Sequence, residues 1–165
     1  MIKRIKNTKI GDVFEVPISS SQKRYIQYVV SDLTQLNSDV VRVFSKSYKI
    51  DETPNVEQIT LDDVSFYAHC CTKLGIKMSA WRLYGNSQNV GAYSNIIFRD
   101  SEDYGSPQIK VSNWWYVWHI NEDFRNVGKL VGENRNSYIG IVFSPNSMVE
   151  YIRHGTYQGV YPRYE

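Results

Sequence analysis

Trp114-Trp115-Tyr116-Val117-Trp118 sets four broad rings within five consecutive positions. Side chains of an extended strand alternate between its two faces, so this segment carries rings on both and needs cover on both. That marks a central strand. The same bias runs through the chain, which has thirteen tyrosines, four tryptophans and six phenylalanines in 165 residues. Such rings pack well across neighbouring strands and tilt the fold toward β. The length suits one hydrophobic core, and 42% hydrophobic with 22% charged residues is an ordinary globular balance.

Before the aromatic segment, residues 12–18 alternate apolar side chains (Val13, Phe14, Val16, Ile18) after a turn at Gly11-Asp12, with Pro17 marking an edge or a strand end. Residues 25–30 and 40–44 are two further β-branched runs, and the polar stretch between them completes a three-strand meander. Residues 51–57, with Pro54 and Asn55, read as a long loop. Residues 64–74 fit two periods. Helical spacing selects Val64, Tyr67, Ala68, Cys71 and Leu74 with Gly75 as a cap, and period two selects Val64, Phe66, Ala68 and Cys70. The extended run 76–84 directly after Gly75 favours a hairpin of two strands. Residues 85–95 form a Gly/Asn/Ser loop, 95–98 a short strand and 100–107 a polar turn.

After the aromatic strand, residues 138–143 are apolar. Ser144 then caps a helix with Pro145 at its first position; it carries Met148, Val149, Tyr151 and Ile152 and stops at Gly155. The expected architecture is α+β and β-dominated: a twisted antiparallel sheet or partly closed barrel with a C-terminal helix, spanning residues 1–165 as one domain.

Nineteen Lys and Arg against seventeen Asp and Glu leave a net charge of +2, too small for the field of a general nucleic-acid binder. The basic start, Lys3, Arg4, Lys6 and Lys9, reads as a solvated strand or arm, since no apolar segment follows it as in a signal peptide. No run approaches the roughly 20 apolar residues of a membrane span, so a cytoplasmic protein is expected. Cys70 and Cys71 are adjacent, where a mutual disulfide demands a strained ring, and unpaired thiols are expected. His69 beside them does not complete a metal site, because three consecutive side chains converge poorly on one tetrahedral ion.

Catalytic signatures are missing: there is no nucleophile elbow, phosphate loop or zinc-protease motif. His119 with Glu122 offers an acid–base or metal pair, but a histidine ending a strand more often meets backbone or water. Residues 100–105 open like a calcium loop and then place Tyr104 and Val111 where ligands are needed. In Asp62-Asp63, Asp63 is expected to accept backbone bonds in a turn or capping box after Thr60. His154 complements the end of the C-terminal helix. No enzyme, cofactor or metal site is expected.

Aromatic side chains are the remaining resource. Trp81, Tyr84, Trp114, Trp115, Tyr116 and Trp118 belong mainly in the core, and any left exposed is a candidate interface anchor. The tail, with Tyr157, Tyr161, Tyr164, Arg153 and Arg163, either packs back on the sheet or meets a partner. Two polar segments containing a tyrosine fit an interface rim: Tyr84 with Asn86, and Asp100, Glu102, Asp103 with Tyr104.

Gly11-Asp12-Val13-Phe14-Glu15-Val16-Pro17-Ile18, followed by Tyr25-Ile26-Gln27-Tyr28-Val29-Val30, resembles the start of the immunity protein 26 family of bacterial polymorphic-toxin systems. Trp81-Arg82-Leu83-Tyr84-Gly85-Asn86, Ile96-Ile97-Phe98-Arg99-Asp100 and the aromatic strand follow in order and look like that family's tryptophan–glycine turn, short apolar strand and aromatic strand. The resemblance covers roughly residues 9–125. It implies a cytosolic antidote that binds a toxin's C-terminal domain and blocks its active site or substrate path, with no cofactor. It also implies that Gly11-Asp12 forms the first turn and that Trp81 packs in the core. Two features depart from it: the chain is slightly basic where antidotes to nucleases are often acidic, and residues beyond about 130 extend past the match. The alternative function is a small barrel that binds nucleic acid or another polymer through its aromatics, and a hydrolase using His119 and Glu122 stands third.

Overall fold

A computed structural model describes residues 7–165; Lys3, Arg4 and Lys6 of the basic arm lie outside the described residues. The strands are β1 (Asp12–Pro17), β2 (Gln22–Asp32), β3 (Ser38–Phe44), β4 (Tyr48–Lys49), β5 (Val64–Cys70), β6 (Arg82–Asn86), β7 (Ile97–Ser101), β8 (Trp115–His119), β9 (Arg125–Gly128), β10 (Tyr138–Ile139) and β11 (Val142–Phe143). The helices are α1 (Val56–Thr60), α2 (Thr72–Lys77) and α3 (Pro145–His154), with a 3-10 turn at Gly132–Asn136. The chain is β-dominated α+β with a C-terminal helix, as its patterning predicts. The strands form two open sheets, not one: a seven-stranded sheet ordered β11-β5-β3-β2-β1-β6 with β4 paired to β2, and a four-stranded sheet ordered β10-β7-β8-β9. Both are mixed, because β11 runs parallel to β5 and β10 parallel to β7.

The meander β1-β2-β3 is where alternation placed it, and β1 begins just after Gly11 and ends at Pro17. β1 is nevertheless buried on both faces. Phe14 and Val16 face a core with Ile26, Val41, Val43 and Ala68, roofed by Trp81, Met148 and Ile152. Val13 faces the opposite side with Tyr25, Phe44 and Ile59, under α1. Farther along that side, Val29, Val40 and Tyr67 meet Phe98 and Trp118 of the second sheet. The large sheet is therefore a middle layer.

The hairpin expected at 64–84 is corrected. Residues 64–70 are a strand, but 72–77 form α2. The Asp39 carboxylate accepts both the Thr72 N–H (2.8 Å) and the Thr72 hydroxyl (2.5 Å), turning the chain at Cys71. Gly75 sits within that helix instead of capping it, because the Trp81 indole lies on it: a Cβ there would be 1.9 Å from the ring. The indole N–H donates to the Thr72 carbonyl at 2.9 Å, and Trp81 is buried as expected.

The loop at 51–57 ends early, since Asn55 and Gln58 make a capping box at the start of α1. The segment 138–143 is not one strand but divides between the two sheets at Gly140, where a Cβ would fall 2.2 Å from the Trp118 ring. Helix α3 starts on the Ser144 cap, where Oγ accepts the Ser147 N–H, and ends at Gly155. It buries Met148 and Ile152 on the large sheet. No helix among the described residues is long and apolar enough to cross a membrane.

Candidate functional site

The first place to look for chemistry is a buried cluster where the two sheets meet. His69 Nε2 lies 2.8 Å from Asp32 Oδ2, the Trp118 indole N–H donates to the same oxygen at 2.9 Å, and the Asn121 N–H donates to Oδ1 at 3.0 Å. Burial works to raise the Asp32 carboxyl, but these bonds outweigh it and bring it down to about 2. Burial pushes the His69 imidazole below its ordinary value against the pull of Asp32, so a neutral ring donates to a carboxylate. The pair resembles part of a catalytic triad, yet both side chains are fully buried, Nδ1 meets no hydroxyl or thiol, and Phe98 stands 4.2 Å from the ring. Without solvent access, this cluster is a fastener between sheets. No sequence motif announces it, because its members lie 37 and 86 positions apart.

The other sequence-level candidates also find structural roles. His119 Nδ1 meets the Ile96 carbonyl at 2.9 Å, and Glu122 approaches it only through its backbone N–H. Asp62, not Asp63, accepts a side-chain bond, from the Tyr48 hydroxyl at 2.6 Å. Asp63 instead uses its carbonyl to accept the Ser45 N–H and hydroxyl. His154 pairs with Glu150 in the last turn of α3. Cys70 is buried and Cys71 exposed, both as free thiols. Among the described residues no three His, Cys, Asp or Glu side chains gather as a metal ion would need.

The six residues expected at an interface rim fall into two groups with no hydrogen bond or ring contact between them among the described residues. Tyr84 is half-buried against Tyr25 and donates to the Pro54 carbonyl, and Asn86 is exposed while bonding Ile10 and Asp12. Asp100 is not in an open loop: it is buried in β7, and its burial raises the carboxyl against the Ser101 N–H bond. Glu102 is exposed, and its N–H holds the Trp114 carbonyl. Asp103 accepts the Ser112 hydroxyl at 2.5 Å. Tyr104 is 44% exposed, with its hydroxyl 3.5 Å from that of Tyr157.

The second group builds something specific. Ser101, Asp103 and Ser112 form a compact hydrogen-bonded knot whose outputs converge on the backbone of Trp114. Ser112 Oγ accepts the Trp114 N–H at 3.0 Å, and the Trp114 carbonyl accepts from Ser101 Oγ at 3.1 Å and from the Glu102 N–H at 3.2 Å. Next along the chain, Trp115 is fully buried, its indole bonded to the Ser112 carbonyl at 2.9 Å. Trp114 is thus fixed at its backbone while its side chain stands 61% exposed; Tyr104, Ile109 and Val111 of the same β7–β8 connection are exposed too. Ser101 and Ser112 escape a sequence reading because the knot joins separate segments.

A second apolar projection, Leu33 and Leu36 in the β2–β3 turn, is more exposed, and Leu36 adopts a left-handed φ of 59°. Interface anchors are enriched in Trp, Tyr and Arg and poor in Leu, which ranks the Trp114 surface first. No family model, curated protein or solved structure matches the chain.

Proposed function

We propose that the chain is a toxin-neutralising immunity protein that acts in the cytoplasm by binding a toxin domain, not by catalysis. The observation that carries the reading is Trp114: a tryptophan held at its backbone by the Ser101–Asp103–Ser112 knot while its ring stays in water. A backbone that is already fixed has no further backbone entropy to lose on docking, which favours affinity. The connection between β7 and β8 that carries Trp114 also exposes Tyr104, Ile109 and Val111 as apolar groups and Glu102 as a charged one, the mixture of an interface. The ordered segments that resemble the immunity protein 26 family supply the partner class.

The test is co-expression with the C-terminal domain encoded by the adjacent upstream gene, scoring toxicity of that domain alone, survival and co-purification. Protection by the wild type, lost with Trp114→Ala at unchanged expression, is the expected result. A toxic neighbour that is neither bound nor neutralised would reject the pairing. Full protection by Trp114→Ala would move the interface elsewhere.

A further inference from the structure

The tail after α3 returns across the second sheet, where Val111 and Arg163 bridge and the Tyr161 hydroxyl donates to the Arg99 carbonyl at 3.2 Å. Between tail and sheet lies a cavity of about 400 Å³, lined among others by Arg99, Tyr157, Tyr161, Arg163 and Tyr164. That volume falls in the range of small-ligand sites, and a benzoate-sized molecule fits within it.

Its cations are not matched by protein anions. Arg99 uses Nη1 on the Ser137 carbonyl and hydroxyl, while its Nε is buried with no acceptor among the described residues. Neither Arg99 nor Arg163 forms an ion pair among the described residues. Glu165, the carboxylate side chain that lines the cavity, is bound by Arg135 at 3.2 Å. Two guanidinium groups without a carboxylate partner among the described residues thus line one cavity, and an oxyanion supplies the missing counter-charge. A guanidinium is a planar, multi-pronged donor whose geometry matches a carboxylate or phosphate.

Rings set the rest of the preference. The Arg99 guanidinium lies 5.9 Å from the Trp115 ring and 5.8 Å from that of Tyr164, and Tyr157 meets Tyr161 edge-to-face at 6.1 Å. Tyr157, Tyr161 and Tyr164 line the cavity, so a bare inorganic ion would use the arginines and leave these three rings without a contact, and a neutral aromatic would leave the guanidinium charges unanswered.

We propose that this cavity binds a small aromatic oxyanion, a carboxylate or phosphate ester attached to a planar ring. The test titrates the full, ¹⁵N-labelled chain separately with benzoate, phenyl phosphate, benzamide and inorganic phosphate, following the Arg99 Nε–H resonance. Benzoate or phenyl phosphate shifts that resonance saturably, at least about tenfold more tightly than benzamide or inorganic phosphate. Arg163→Gln, at an exposed position that leaves the core intact, weakens the binding about tenfold. The preferred oxyanion distinguishes a carboxylate source from a phosphate one. No saturable shift with either, equal binding of benzamide, inorganic phosphate binding as tightly as phenyl phosphate, or an unchanged affinity in Arg163→Gln would each overturn the proposal.

Discussion

In the seven-stranded sheet the buried cations have acceptors: Lys23, only 1% exposed, holds Glu15 at 2.9 Å and the Ile50 carbonyl at 3.0 Å, and Arg42 holds the Gln27 side chain at 2.8 Å. In the four-stranded sheet Arg99 keeps a buried Nε without an acceptor, and Trp114 projects its ring into water. The large sheet's own unpaired buried atom is His69 Nδ1, an acceptor on a neutral ring, and it sits at the seam against Phe98 and Trp118. Covered on both faces, the large sheet spends its polar groups on itself. The small sheet, covered by the large one and by the tail, ends in a rim where the exposed Trp114 ring has no ring partner among the described residues. On the proposed function, the difference separates a scaffold from a surface for recognition.

The sharpest way to break that comparison is to strand a charge in the scaffold. Glu15→Ala removes the carboxylate that serves Lys23 and Arg82 and leaves the Lys23 ammonium buried. The expected loss is about 3–5 kcal/mol in urea unfolding, since an unpaired buried charge is the costly case. Glu15→Leu with Lys23→Met should recover most of it. If Glu15→Ala loses less than about 1 kcal/mol, the large sheet does not depend on internal pairing and the contrast fails.

The seam predicts acid sensitivity. His69 and Asp32 both have pKa values below their ordinary ones in the folded state, so the unfolded chain takes up their protons more readily and acid favours unfolding. The His69 contribution is complete above its ordinary pKa of 6.5 and is lost as pH falls below it. Asp32 adds a loss of about 2 kcal/mol as pH falls from its ordinary 3.8 toward its folded value of about 2. Urea midpoints across pH 7 to 3 measure the slope, and His69→Gln should flatten its upper part. A smaller effect at the same seam comes from Gly140→Ala, whose methyl would press on Trp118 and cost about 1–3 kcal/mol, read from the thermal midpoint.

How much of this was legible in the sequence follows the same division. β1, β2 and β3 announced themselves by alternation because their pairings are sequential, and α3 by Ser144, Pro145 and Gly155. Helix α2 was misread because residues 64–74 carry both periods, and what decides between them is Asp39, 33 positions away, bonded to Thr72. Lys23 reads as a surface residue until β1 brings Glu15 alongside. At the candidate site, Trp114 and Tyr104 were legible as aromatics at risk of exposure. Asp103 was selected as a rim residue but instead holds Ser112, and Ser112 has no signal before the two segments meet. Asp100 looked solvated for want of any sign that β7 continues through it.

Trp114→Ala is the substitution with the smallest expected effect on the fold and the one that most sharpens the contrast. Its ring has no ring partner within the described chain, and truncating an exposed side chain changes stability by about 0.5 kcal/mol or less. If the rim is the recognition surface, the same change should weaken partner binding by about 2 kcal/mol or more, roughly thirtyfold, in calorimetry with the purified toxin domain. Ser112→Ala tests how that ring is held. It keeps the indole but removes the acceptor for the Trp114 N–H and the donor to Asp103, so binding should fall by about 1 kcal/mol with Trp114 still present. A loss in Trp114→Ala without one in Ser112→Ala would show that the ring matters and its fixation does not. Equal affinity in both variants would assign recognition to another face, and the exposed Leu33–Leu36 turn would be the next to truncate.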